Sequence, residues 1–391
     1  MEHFTHYHIL NYSFPNDQHV YWSLMIVIYP YITGLVAGAF IVSSLYHVFG
    51  KQELKPVAKF SLLTAFGFLL FATVPLLNHL GHPERAFNVM ISPNFTSAIA
   101  GFGFIYSSYA LVLVLEIWFI FRADIVRYSE NCTGGLQKIY KLATLGCNNI
   151  TPEALAIDKK VATFLAAIGI PMACMLHGYV GFLFGAIKAN PWWSTPLMPI
   201  IFLLSAVVSG IAALILLYAI AAKFMKIKPD ENCLRTLVQY LWAFLIADIT
   251  LELLEILMRF YESAEEWELI HYLLTHNLFG SFVIGQVIIC SLIPLIALGF
   301  LNLMQVSFKR FYTITLVASC LLVTQVLLMR WNIVIGGQQF SKSFTGFKEY
   351  VPHFFDQEGI LAAIIIFICP LIVIYILNKL LPNLKEESAE K

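Results

Sequence analysis

Charge is what this chain has least of. Only 12% of its 391 residues are Asp, Glu, Lys or Arg, about half of the ~25% typical of soluble domains. Nothing in it reads as a separate soluble domain. Net charge is zero, so the basic footprint of a nucleic-acid binder is missing and no nucleic-acid partner is expected. Clustered thiols are missing too. Cys132, Cys147, Cys174, Cys233, Cys290, Cys320 and Cys369 form no C-x-x-C pair. Iron–sulfur clusters and structural zinc need grouped thiolates, so neither is expected here. The opening stretch "MEHFTHYHILNYSFPND" has no basic leading segment, and no small-residue cleavage site precedes the first apolar run. It does not read as a signal peptide, and the chain is expected to insert through its own spans.

What is abundant is apolar sequence: 59% of the residues, with a mean hydropathy of +0.77. Nine stretches reach the ~20 residues needed to cross a bilayer as a helix. They lie near 21–49, 57–81, 95–121, 161–187, 196–222, 236–258, 277–305, 311–331 and 359–381. The expectation is an all-α integral membrane protein with a tail over 1–20, a polytopic domain over 21–381 and a second tail over 382–391.

An odd number of spans puts the two tails on opposite sides. Of the 24 Lys and Arg residues, 18 fall on the side of the 50–59, 122–160 and 223–235 connections and the C-terminal tail. The other six, Arg85, Lys188, Arg259, Arg330, Lys342 and Lys348, fall opposite. The positive-inside rule places the N-terminus outside and the C-terminus in the cytoplasm of a bacterial inner membrane. Trp22, Trp192, Trp193 and Trp331 then fall at outer ends, as an interfacial aromatic belt would.

Polar groups gather in the outer half. His177 lies about 24 Å along span four at ~1.5 Å per residue, with Tyr179 beyond it. His79 ends span two. Span six carries Asp248, Glu252 and Glu255 at i, i+4 and i+7, on one helical face. Tyr29 lies in the outer half of span one. Pro30, Pro75 and Pro171 interrupt three spans and are expected to kink them. Ionisable groups are costly in hydrocarbon, so they face a bundle interior and mark function, or else satisfy one another as interhelical hydrogen bonds. A histidine, a tyrosine and a carboxylate beside an apolar slot suit proton exchange with the two carbonyl oxygens of a quinone. His47 and Glu116 in the inner half, with Glu255 and the other acids of span six, form a candidate proton path from the cytoplasm.

Two other readings stay open. A b-type haem needs facing histidines, and only His79 and His177 share a depth. A secondary transporter also places polar residues and broken helices at mid-membrane. The tail histidines His3, His6, His8 and His19 have weak metal-binding spacing.

Four blocks carry a resemblance: "ITGLVAGAF", "NHLGHPERAFNVMISPNFTS", "HGYVGFLFGAIKANPWWSTPLMPIIFLLSAVVSG" and "RWNIVIGGQQFSKS". With them the chain resembles the NrfD/PsrC family, the membrane subunits of polysulfide reductase-like complexes, and its longer hydrogenase and menaquinone-reductase-type members in particular. The resemblance implies two four-helix bundles, here with an extra C-terminal helix. It implies a menaquinone or ubiquinone bound as substrate at the periplasmic side, and no haem or iron–sulfur cluster in this chain. It also implies a ferredoxin-like iron–sulfur partner and a periplasmic catalytic subunit, often a molybdopterin enzyme. Tyr179 matches the family's quinone-pocket tyrosine, and His177 the histidine of longer members. Asp248 and Glu252 rest on their depth. The quinone site is therefore expected at Tyr29, His79, His177 and Tyr179, with "NPWWSTP" as the docking surface.

Overall fold

The computed structural model describes residues 19–262, 265–341, 346–381 and 384. Most of both expected tails, with His3, His6 and His8, lies outside the described residues. Nine long helices follow in chain order: α1 (Leu24–His47), α2 (Lys55–Ala72), α3 (Ala98–Asn131), α4 (Pro152–Gly185), α5 (Met198–Met225), α6 (Glu231–Glu262), α7 (Phe279–Leu303), α8 (Phe308–Val334) and α9 (Ile360–Leu380). No strand occurs among the described residues. Eight of the nine are long and apolar enough to cross a membrane on length and composition. The exception is α6, the helix that carries Asp248, Glu252 and Glu255.

Local chemistry sets the boundaries. Ser23 caps α1 by accepting from the Met25 amide, and Thr151 caps α4 by accepting from Ala154, with Pro152 in the first turn. The expected proline interruptions are realised at one site only. The second span breaks at Thr73 and restarts as Val74–His79, with Pro75 in the new first turn. Pro30 and Pro171 sit inside continuous helices. The first part of α7, Phe279–Leu292, is π-helical, and the rest is α-helical.

Eight of the nine helices pack as two four-helix groups. α1 packs against α2 and α4, and α3 lies against α4. α5, α6, α7 and α8 form the second group. α1 is the hub: 94% of its most apolar window is buried, and it touches α5 and α8 as well as its own group. α9 lies on the outside of α2.

The seam between the groups depends on two glycines. A Cβ on Gly38 would collide with the Ala206 carbonyl oxygen and lie 2.6 Å from the Gly210 Cα. Small residues let two membrane helices approach until their backbones touch, and van der Waals contact then supplies the attraction. Close approach of α1 and α5 is what brings side chains of α4 and α8 within reach of one another.

Lys59–Asp124 at 2.8 Å and Arg122–Asp158 at 2.6 Å mark one end of the bundle, called here the basic end. The residues Trp192 and Trp193 mark the other.

Candidate functional site

At the junction of the two helix groups lies a fully buried arginine. Arg330, in the last turns of α8, has no exposure, and neither does His177 of α4. One guanidinium nitrogen, Nη2, sits 3.0 Å from His177 Nε2, 2.8 Å from Ser205 Oγ and 3.2 Å from the Phe202 carbonyl oxygen. The guanidinium also lies over the Phe202 ring at 3.8 Å. Arginine can only donate hydrogen bonds, so His177 Nε2 accepts. That assignment puts the ring proton on Nδ1, which is buried and has no hydrogen-bond partner in the chain. His177 is thus a neutral imidazole with its N–H aimed away from Arg330. The ring has room because residue 34 of α1 is glycine: a Cβ there would be 3.2 Å from His177 Cε1.

By sequence Arg330 falls among the outer loop charges, because it follows an apolar run and precedes Trp331. The structure corrects this: Arg330 is inside the bundle. Its charge lies within electrostatic reach of Asp248, Glu252 and Tyr31. A cation taken out of water must be balanced or hydrogen-bonded; here Nη2 carries the bonds to His177, Ser205 and Phe202, Nη1 reaches only the Met329 sulfur at 3.3 Å, and Nε is buried without a partner in the chain.

Asp248 and Glu252 approach from α6. Both oxygens of Asp248 are buried without a hydrogen-bond partner in the chain, as is Glu252 Oε1. The second Glu252 oxygen starts a polar chain. Gln286 Nε2 donates to it at 3.2 Å, Asn332 Nδ2 donates to Gln286 Oε1 at 2.9 Å, and Ser281 Oγ donates to Asn332 Oδ1 at 2.6 Å. Gln286 and Ser281 lie on the π-helical part of α7, whose wider turns change the angular spacing of side chains. This is also where Ser291 Oγ reaches the carbonyl five residues back, at Gln286.

Beside this chain is a pocket between α5, α6, α7 and α8. Glu252, Gln286 and Asn332 give it a polar wall, and Met198, Phe282 and Met329 an apolar one. The cavity is narrow, about 50 Å³, with apolar sides and a few fixed polar groups.

The remaining expected residues are distributed around this centre. Tyr29 is buried with its hydroxyl unpartnered, its ring edge-on to Phe102 of α3 at 5.4 Å. Tyr179 is half-buried and donates to the Ala98 carbonyl at 2.5 Å. Tyr29 and Tyr179 therefore meet the same opening turns of α3. His177 does not join them: residues two apart on a helix point about 200° apart, so it faces α1, α5 and α8 instead. His79 pairs with Glu358 at 2.7 Å, and Glu358 also accepts from Ser23 Oγ. His79 and His177 thus have different partners in different places. Glu255 is held by Arg259 Nε at 2.7 Å and Thr195 Oγ at 2.8 Å. Glu116 is fully buried with both oxygens unpartnered in the chain. His47 stands at the basic end, its Nε2 likewise unpartnered.

The tryptophans differ from the expected interfacial belt. Trp192 and Trp193 are buried. Their indole N–H groups donate to the Asn332 and Ile333 carbonyls at 3.2 and 2.6 Å, which satisfies the end of α8. Trp22 stacks on Trp193 at 5.0 Å. Arg259 closes the loop from the other side, donating to the Pro191 carbonyl and lying over Trp192. In "NPWWSTP", Trp192, Trp193 and Thr195 are buried as a plug, Asn190, Pro191 and Ser194 are partly exposed, and Pro196 is exposed.

A family model described as polysulphide reductase, NrfD, matches residues 13–342. The chain belongs to the NrfD family. The matched region contains α1 to α8 whole and leaves out α9. A selenate reductase subunit of Mesobacillus selenatarsenatis is 33% identical over 70% of this chain and 66% of its own length. Protein NrfD of Escherichia coli is 27% identical over 51% of this chain and 60% of its own. The Hdr-like menaquinol oxidoreductase integral membrane subunit of Archaeoglobus fulgidus is 23% identical over 55% and 46%. The chain therefore spans about half to two thirds of the length of these NrfD-like relatives.

Proposed function

We propose that this chain is the quinone-interacting membrane subunit of a respiratory oxidoreductase complex. It exchanges electrons between the membrane quinone pool and an iron–sulfur partner on the periplasmic side, and that partner serves a catalytic subunit. Family membership supports the reading, as do relatives whose names specify a selenate reductase and a menaquinol oxidoreductase. The observation that carries it is the buried centre of His177, Arg330, Asp248 and Glu252, of which Glu252 lines an apolar slot.

Quinone chemistry moves two electrons and two protons together. This chain supplies the proton side. A buried carboxyl such as Glu252, at the polar wall of the slot, can give or take a proton, and Gln286 and Asn332 hold it in place. His177 offers its Nδ1–H toward the seam. Arg330 offsets the negative charge left when either acid ionises. Asp248, one turn from Glu252, acts as a relay and not as a ligand. Tyr29 and Tyr179 line a second approach at α3, and His79 with Glu358 closes its outer end. Glu116 and His47 lie along the way to the basic end. Electrons go to the partner, which docks over the Trp192 end.

The test is electron transfer between a quinol analogue and the intact complex, with the amount of each subunit checked by gel. Saturable, quinol-dependent transfer supports the reading. Transfer that ignores quinol, with solute flux in sealed vesicles, would instead favour a secondary transporter.

A further inference from the structure

The basic end holds a second cavity that the proposed quinone chemistry does not use as a binding site. A cleft opens between the end of α1, the first turn of α2, and the facing sides of α3 and α4. Its walls carry four bases, Lys55, Lys59, Arg127 and Lys159, against two acids, Asp124 and Asp158. Asp158 is already neutralised from behind, since Arg122 donates to it through both Nε and Nη2 at 2.9 and 2.6 Å. Asp124 takes Lys59 at 2.8 Å and also lies 4.0 Å from Arg127, so one carboxylate is shared by two bases. The lining is therefore left with a net positive charge.

Two further features point to an anion that carries an apolar tail. His47 Nε2 is buried at the cleft without a hydrogen-bond partner in the chain, and Lys59 and Lys159 lie within electrostatic reach of its ring. One wall is also apolar. Phe119 lines the cleft, and the exposed Leu115 and Leu111 follow at one and two turns along the same face of α3.

We propose that this cleft binds the phosphate headgroup of an anionic phospholipid, with an acyl chain laid along Phe119, Leu115 and Leu111 of α3. A free phosphate would use the bases but not the apolar strip. Basic pockets between membrane helices are recurrent headgroup sites. The lipid ties the ends of α1 and α2 to α3 and α4, where few direct bonds join them. This rests on the membrane-spanning architecture and not on the quinone reading, so either can fail alone.

The experiment uses the purified complex, stripped of lipid in detergent. It is titrated separately with phosphatidylglycerol, phosphatidylcholine and inorganic phosphate. Native mass spectrometry reads retained lipid, and thermal unfolding reads stabilisation. The cleft variant is Arg127→Gln with Lys159→Gln, both at exposed positions; Lys55→Gln with Lys159→Gln is the second. Lys138→Gln with Lys141→Gln, outside the cleft, controls for lost charge. The expected result is retention of phosphatidylglycerol but not phosphatidylcholine, weakened about tenfold or more in both cleft variants and unchanged in the control. Equal retention by wild type and both cleft variants overturns the site. Equal stabilisation by inorganic phosphate overturns the lipid assignment.

Discussion

Arg330 Nη2 and His177 Nε2 meet at 3.0 Å across the seam between the two four-helix groups. This one contact joins α8 to α4, sets the histidine tautomer and brings a positive charge near two buried acids. Replacing Arg330 with Gln should leave Asp248 and Glu252 without their counter-charge. Uncompensated buried charge costs about 3–5 kcal/mol, which should show as a lower unfolding temperature and less assembled complex. Arg330→Lys should recover part of the stability but little turnover. An ammonium keeps the charge and several donors on one nitrogen but loses the planar stack on Phe202 and the fixed fork geometry of the guanidinium. Equal unfolding temperatures for Arg330→Gln and wild type would contradict this role.

His177→Ala should impair quinone-linked turnover by about 10²–10⁴-fold, the usual loss on removing a general acid or base. Tyr179→Phe should be milder. Its hydroxyl is spent on the Ala98 carbonyl, a bond worth about 1 kcal/mol, so about a tenfold change is the ceiling. Initial rates with a quinol analogue, normalised to the amount of assembled complex, decide the order. A larger effect for Tyr179→Phe would move the quinone ring to the α3 side.

Glu252→Gln keeps the shape and its contact with Gln286 but cannot ionise. It should lower kcat with little change in complex yield. Asp248→Asn, one turn away and without a hydrogen-bond partner in the chain, should lower kcat while leaving the apparent KM for quinol near the wild-type value. A raised KM for Asp248→Asn with normal kcat would make it a ligand and not a relay.

The seam itself can be tested. Gly210→Val would drive a side chain into α1, since even a Cβ there would collide with Gly38 Cα. Overpacking of this kind costs about 1–3 kcal/mol. It should also pull Arg330 away from His177, so turnover should fall together with thermal stability. Unchanged stability would mean the two groups tolerate separation.

Much of the fold was legible because bilayer crossing leaves a direct mark: nine apolar runs became nine long helices with shifted ends. The centre was only half legible. Asp248, Glu252 and His177 stood out as ionisable groups in apolar runs. Arg330 did not, because an arginine at the edge of a run looks the same whether it faces water or the core. The signal available was the run continuing past it as "WNIVIGG", which places residue 330 inside the helix. The tryptophans misled for a related reason. An indole near a helix end suits a lipid interface or a helix-capping plug, and only the Asn332 and Ile333 carbonyls distinguish them. The helical angle between His177 and Tyr179 was available from spacing alone and separates them.

Topology gives an independent check. A reporter after Lys391 should report cytoplasm and a tag before Glu2 periplasm, following a division of basic residues of 18 to 5 once Arg330 is taken inside the bundle. Both tails on one side would reject nine crossings.

The most direct measurement is quinol-driven electron transfer in the intact complex, comparing wild type with His177→Ala at matched amounts of assembled complex. The account predicts saturable transfer in the wild type and a loss of about 10²-fold or more in the variant, with assembly intact. Near-normal transfer in His177→Ala would contradict the central claim that the His177–Arg330 junction is where quinone chemistry meets the protein.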